Sequence, residues 1–236
     1  MPILYIVATP IGNLEDLTFR ALKTLKEVDL ILCEDTRVTK RLLDHFGIKT
    51  PTLSYHQHSK LQKINYILDL LKKDKNLALV SDSGTPGISD PGNKLISLIV
   101  ETVEVVPIPG ASAVTAAASI SGFPMDKFLF LGFPPTKRKR KKFFEEVVKS
   151  KYPVIFYESP YRILKTLREL KLTSDLCHGR NTTLMGAVVC RELTKKFETV
   201  YRGKVEEVLQ KIEKAKILGE FVVMVNSRIR TNLSTN

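Results

Sequence analysis

The feature that most constrains this chain is the alternation, across its first half, of short apolar runs with amphipathic stretches. Ile3–Ala8, Asp29–Cys33, Leu77–Ser81 and Val103–Ile108 are short and rich in Val, Ile and Leu, as strands buried on both faces are. Between them, Thr18–Glu27, Arg37–Phe46, Leu61–Lys72 and Pro91–Val100 carry apolar residues at three- and four-residue spacing, which predicts helices with one buried stripe. Strand–helix alternation of this kind implies an α/β fold with a mostly parallel sheet and helices on its faces. Ala111–Ile120 reads as a small-residue helix closing this half.

Gly122-Phe123-Pro124 reads as a hinge, so two α/β domains are expected, residues 1–121 and 122–236. Past the hinge, strands are expected at Phe128–Phe133, Val154–Tyr157, Ala187–Arg191, Phe197–Tyr201 and Phe221–Asn226, and helices at Lys139–Lys149 and Val205–Lys214. A further helix, Pro160–Leu170, would be capped by Ser159, with Pro at a first helical position where its missing N–H costs nothing. Several of these strands follow one another directly, which predicts a mixed or antiparallel second sheet. Leu172–Gly186 is polar and aperiodic and reads as an exposed loop.

Open α/β sheets bind ligands beyond the carboxyl ends of their strands. Four loops lie there: Thr9–Leu14, Glu34–Arg37, Asp82–Gly92 and Pro109–Ala113. The third is rich in Gly and Pro, which let backbone approach a ligand closely along a fixed path. The fourth opens a helix with small residues, leaving space at its start. Each alone fits a tight turn; together they favour a nucleotide-like ligand. The spacing of Gly84, Gly87 and Gly92 is not G-x-G-x-x-G, and no G-x-x-x-x-G-K-[ST] is present, so dinucleotide binding and ATP hydrolysis lose support. His56 and His58 alternate without a Cys or carboxylate at ligand spacing, so no metal site is expected.

The formal net charge is +12, yet residues 1–120 hold 13 basic and 13 acidic side chains, so the whole excess falls in the second half. A polarised charge of this kind points to a polyanion, the plainer reading being a solvated lysine-rich face. Its densest part is Lys137-Arg138-Lys139-Arg140-Lys141-Lys142, expected at a helix start, where cations oppose the helix dipole. An external phosphate backbone explains that placement better than solvation does. Three cysteines, Cys33, Cys177 and Cys190, form no C-x-x-C pair, which argues for a reducing, cytoplasmic setting. No signal peptide or membrane-length apolar run is apparent.

The motifs Thr9-Pro10-Ile11-Gly12-Asn13-Leu14-Glu15-Asp16, Cys33-Glu34-Asp35-Thr36-Arg37, Ser81–Gly92 and Pro109-Gly110-Ala111-Ser112-Ala113 resemble those of the bacterial ribosomal RNA small subunit methyltransferase I family, within the tetrapyrrole-methylase superfamily. So do Phe156-Tyr157-Glu158-Ser159-Pro160-Tyr161-Arg162 and Cys190-Arg191-Glu192-Leu193-Thr194-Lys195. The resemblance spans roughly residues 3–226. It implies a two-domain homodimer that holds S-adenosyl-L-methionine in the interdomain cleft. The family methylates the ribose 2′-oxygen of a cytidine in the decoding region of 16S rRNA, within the assembled small subunit. Carried over by motif, Pro10, Gly84, Thr85, Pro86, Gly87, Ser112 and Ala113 are the expected cofactor contacts. Thr85 stands where tetrapyrrole-methylating relatives have Asp in a Gly-Asp-Pro loop. His56-Gln57-His58-Ser59-Lys60 departs from the family's frequent His-Glu-His-Asn-Glu, and the Leu172–Gly186 loop is longer than is usual.

Methyl transfer from a sulfonium is an in-line displacement, so alignment of the ribose oxygen is the enzyme's main task. A 2′-hydroxyl is a weak acid, and a base or an oriented dipole assists as the bond forms. Glu34, Asp35 and His56 are candidates for that role, and Arg37 and Arg191 for holding phosphates. Structural ion pairing is the competing explanation for Asp35–Arg37 and Arg191–Glu192. Lys137, Arg138, Lys139, Arg140, Lys141 and Lys142 are the expected RNA contacts. The alternatives are a porphyrinoid methyltransferase, which gives no reason for the basic run, and a non-catalytic RNA-binding assembly factor, which needs no intact Gly/Pro loops.

Overall fold

The computed structural model describes residues 2–56, 59–178 and 185–227. The chain divides into two compact units, Met1–Ser112 and Ala113–Asn236. The first unit runs β1 (Ile3–Val7), α1 (Phe19–Glu27), β2 (Leu30–Cys33), α2 (Thr36–His45), β3 (Thr52–Ser54), α3 (Leu61–Lys72), β4 (Leu77–Val80), α4 (Asn93–Ile99) and β5 (Glu104–Ile108). Its sheet has the order β3-β2-β4-β1-β5, and every pairing is parallel.

That topology follows from the helical stripes. Ala21 and Leu25 of α1 and Leu43 of α2 are buried with Val7, Ile31, Ala78 and Val80 on one side of the sheet. On the other side, Ile64, Ile67 and Leu71 of α3 and Leu95 and Ile99 of α4 pack with Leu4, Leu32, Leu77 and Leu79. The central strand β4 is buried throughout, as its apolar run predicts. β5 differs from expectation. It is an edge strand with Glu104 and Pro107 exposed, and an edge is where Pro, which cannot donate to the ladder, is tolerated. The other edge, β3, escaped the sequence reading because three half-buried residues between Pro51 and Tyr55 leave no apolar run.

The second unit runs α5 (Ala113–Ile120), β6 (Leu129–Phe130), α6 (Arg140–Lys149), β7 (Val154–Glu158), α7 (Ile163–His178), β8 (Gly186–Arg191), β9 (Thr199–Lys204), α8 (Val205–Glu213) and β10 (Phe221–Asn226). Its sheet is mixed, in the order β6-β7-β10-β8-β9, with β6 parallel to β7 and the remaining pairs antiparallel. α6, α7 and α8 cover one face through Phe144, Val147, Leu167, Leu170, Val208 and Ile212. The helix that sequence alone assigned to the first half, α5, buries Val114 and Ala117 and lies against β7 and β10 of this sheet.

Two further expectations are corrected. Leu172–Gly186 is not a loop from its start, because α7 continues to His178; residues 179–184 lie outside the described residues. The buried stripe Ile163, Leu167, Leu170, Ser174 keeps helical spacing, but its last position is a serine, which hides the period from a hydrophobicity reading. Nor does α7 begin at Pro160. The carbonyl of Ser159 accepts from Arg162 N and Ile163 N, both at 3.1 Å, in a turn that precedes the helix. No helix among the described residues is long and apolar enough to cross a membrane.

Candidate active site

The Gly/Pro loops of the first unit are stitched to one another. Thr9 and Gly84 exchange backbone hydrogen bonds, Thr9 N to Gly84 O at 2.9 Å and Gly84 N to Thr9 O at 3.1 Å. The Thr9 hydroxyl donates to Ser81 O at 3.1 Å, and the Ser81 hydroxyl donates to Gly84 O at 3.1 Å. Thr85 Oγ1 in turn donates to Ala111 O at 3.2 Å, fastening the loop after β4 to the one after β5. The loops after β1, β4 and β5 therefore form one rigid assembly at the carboxyl edge of the sheet.

Glycine is required within it. Gly87 has φ +83°, and a Cβ there would meet Asn93 Oδ1 at 2.8 Å. Asn93 Nδ2 donates to Gly87 O at 3.0 Å, so the contact that excludes a side chain also fixes the loop. Pro10, Gly84 and Pro86 are buried and Thr85 and Gly87 half-buried within the assembly; Ser112 and Ala113, also half-buried, follow β5 in sequence.

A second feature opens beside the loops after β2, β3 and β4. A cavity of about 400 Å³ is lined by Glu34, Asp35, Arg37, Ser54, His56 and Asp82, among others. The expected residues Glu34, Asp35, Arg37 and His56 are thus brought together, although they come from different strand ends. Gln57 and His58 lie outside the described residues.

The carboxylates differ in what surrounds them. Asp35 caps α2: its Oδ1 accepts from Arg37 N at 2.8 Å and from Arg37 Nε at 3.0 Å, and its Oδ2 from Arg37 Nη2 at 2.6 Å. These bonds from Arg37 hold the Asp35 carboxyl well below the usual carboxylate range. A group so committed is a poor proton acceptor. Glu34 is pushed the other way, first by burial and then by the nearby charge of Asp82, which His56 partly offsets. Asp82 also accepts from Asp35 N at 3.0 Å, joining the loops after β2 and β4. Sequence reasoning did not single out Asp82 or Ser54. Asp82 stood inside the quoted Ser81–Gly92 motif, but its bond from Asp35 N and its raising effect on Glu34 are what mark it.

The basic run divides as well. Lys137, Arg138, Lys139, Lys141 and Lys142 are exposed. Arg140 is 7% exposed, which corrects its expected role as an RNA contact. Its Nε pairs with Glu169 at 2.5 Å, its Nη1 donates to Pro135 O at 3.0 Å and its Nη2 to Thr166 Oγ1 at 2.7 Å. Arg191 donates through Nε to Leu218 O at 2.7 Å.

Residues 3–209 match the family of tetrapyrrole (corrin/porphyrin) methylases. The chain is 47% identical to a ribosomal RNA small subunit methyltransferase I from Halalkalibacterium halodurans, over 94% of this chain and 75% of that protein. It is 45% identical to the protein of that name from Thermotoga maritima, over 95% of this chain and 98% of that one. The chain belongs to the ribosomal RNA small subunit methyltransferase I family of tetrapyrrole methylases. A solved cobalt precorrin-4 methyltransferase of cobalamin biosynthesis matches with a TM-score of 0.69 at 19% identity, covering 95% of this chain and 94% of that one. A uroporphyrin-III C-methyltransferase from Thermus thermophilus matches at 0.63 and 16%, covering 96% and 95%. These likenesses show the shared fold.

S-adenosyl-L-methionine is the methyl donor of this family. The stitched loops fit it. Thr85–Gly87 and Gly110–Ser112 carry no charged side chain, and they offer backbone and small groups on a fixed frame to a ligand with nucleoside and amino-acid parts.

Proposed function

We propose that this protein transfers a methyl group from S-adenosyl-L-methionine to the ribose 2′-oxygen of a cytidine in the decoding region of 16S rRNA, acting on the assembled small subunit. The observation that carries this reading is the 45–47% identity, over nearly the whole chain, to proteins named for methylation of small-subunit rRNA. The exposed cations of the second unit support a phosphate-rich substrate.

Pro10, Gly84, Thr85, Pro86, Gly87, Ser112 and Ala113 hold the methyl donor in this reading. When bound, it supplies an electrophilic methyl carbon on a sulfonium. Glu34 accepts the 2′-hydroxyl proton as the oxygen–methyl bond forms and the sulfur–methyl bond breaks. Burial and Asp82 fit Glu34 for that, because a carboxylate of raised basicity takes a proton from a weak acid more readily. His56, which lines the same cavity, favours the ionised form of Glu34 electrostatically. Arg37, exposed and fixed by Asp35, faces solvent where a phosphate can reach it.

The test is incubation with methyl-labelled S-adenosyl-L-methionine and, separately, purified small subunits, naked 16S rRNA and a porphyrinoid. Label is expected in the rRNA of the small subunit. Label in the porphyrinoid alone overturns the proposal in favour of tetrapyrrole methylation. Donor binding without transfer to any of the three leaves a non-catalytic RNA-binding role.

A further inference from the structure

We infer that Phe133 and Tyr161 form a stacking platform for unpaired bases of an RNA strand whose phosphates lie on the exposed cations of the 137–142 run. The inference rests on the rRNA reading above and adds to it which form of RNA the second unit grips.

Both rings are held out from backbone that is tied down. Gly132 O accepts from Tyr157 N at 2.8 Å, Pro134 O from Arg162 Nη1 at 3.2 Å, and Pro135 O from Arg140 Nη1 at 3.0 Å. Phe133 sits between these anchors, its ring tilted at 58° to that of Tyr157 with 5.3 Å between centroids, and is still 52% exposed. Tyr161 lies next to Arg162, whose Nη2 pairs at 2.8 Å with the buried Glu158. Glu158 also accepts from Ser159 N at 2.8 Å and from Thr166 Oγ1 at 2.6 Å. That turn is therefore fixed, yet Tyr161 is 96% exposed. The Arg162–Pro134 bond brings the two aromatic positions to within one residue of a shared contact.

Single exposed aromatics are ordinary on protein surfaces. The combination here is not. The same loop runs directly into Lys137, Arg138 and Lys139, then Lys141 and Lys142, with no acidic residue from Leu131 to Lys142. Lys139 adopts φ +65°, a left-handed conformation that a non-glycine residue holds only when its surroundings impose it. Arg140 supplies that constraint by turning inward to Glu169, Thr166 and Pro135 while its neighbours face out.

Exposed rings beside a cationic ridge match what single strands require: a π-face for each unstacked base and a charge for each phosphate. Duplex RNA keeps its bases stacked and has no use for the rings. A second copy of this chain is a poorer occupant, because a two-fold contact sets each basic run near its own image.

The test compares Tyr161→Ala, Phe133→Ala and Tyr161→Phe with the unaltered protein, using a short fluorescent single-stranded RNA and a duplex of the same length. Each alanine variant is expected to weaken single-strand binding by about 5- to 100-fold, leaving the duplex and the salt slope unaffected, while Tyr161→Phe stays within about twofold. Unchanged single-strand affinity in both alanine variants overturns the inference, as does an equal loss on duplex. A change of oligomeric state in Tyr161→Ala also overturns it and assigns the ring to a contact between copies. If neutralising Lys137, Arg138 and Lys139 leaves all RNA binding intact, the rRNA grip itself fails, a result separable from a failure of stacking alone.

Discussion

At the scale of single residues, the two neighbouring carboxylates after β2 do opposite work. Asp35 is consumed by Arg37 and by the cap of α2, whereas Glu34 is left with burial and the charge of Asp82. Glu34→Gln is expected to lower the methyl-transfer rate by about 10²- to 10⁴-fold with donor affinity unchanged, read by single-turnover kinetics and calorimetry. The pH dependence follows from the same asymmetry. Glu34 must be ionised to accept a proton and its pKa is raised from 4.5, so the rate falls with decreasing pH through a point above that value. Asp82→Asn removes an anion that raises this pKa, so it shifts the acid limb of the rate profile to lower pH; a limb that does not move removes Glu34 from the role. The sequence made Glu34, Asp35 and Arg37 legible together, because they stand beyond one strand end, whereas His56 joins them only through β3, which the sequence did not reveal. It could not rank the two carboxylates, since ranking depends on Asp82, which lies far away in sequence and meets Asp35 only through the parallel pairing of β2 with β4.

Among the elements, α6 shows both what a pattern reveals and what it hides. Its buried residues are Arg140, Phe143, Phe144, Val147 and Val148, so Arg140 occupies the stripe position one turn before the two phenylalanines. Read as charge, it is one of six cations; read as periodicity, it is a core position. The second reading is correct. Arg140→Ala removes the buried guanidinium and its bonds to Glu169, Thr166 and Pro135, and is expected to cost about 3 kcal/mol, the low end for breaking a buried pair because Glu169 stays partly exposed and keeps Lys165 at 3.9 Å. Lys141→Ala, whose partner Glu145 is 3.9 Å away at the surface, should stay within about 0.5 kcal/mol. Urea unfolding of the two variants decides this, and equal losses would contradict it. Most other elements were readable from spacing. The exceptions have local causes: β3 is too short to show a period, α7 carries Ser174 in its apolar slot, and α5 has small residues that do not say which sheet they pack against.

Over the whole molecule, charge and chemistry divide by unit. The stitched loops and the acidic cavity belong to Met1–Ser112, which carries no net excess of basic residues, and the exposed cations belong to the unit that follows. Replacing Lys137, Arg138, Lys139, Lys141 and Lys142 with alanine should weaken RNA binding and flatten its salt dependence, by about 0.7 in log–log slope for each phosphate no longer neutralised. Donor affinity should stay nearly constant, and a parallel fall in both would contradict the division. The central claim concerns the atom that receives the methyl group. A ribose methylated at its 2′-oxygen has no free hydroxyl to attack the adjacent phosphate, so alkali leaves that linkage intact. The most direct measurement is alkaline hydrolysis of small-subunit rRNA labelled by this protein. The label is expected in a single alkali-resistant dinucleotide whose 5′ nucleoside is cytidine. Label released wholly as mononucleotides would place the methyl on a base and contradict the account.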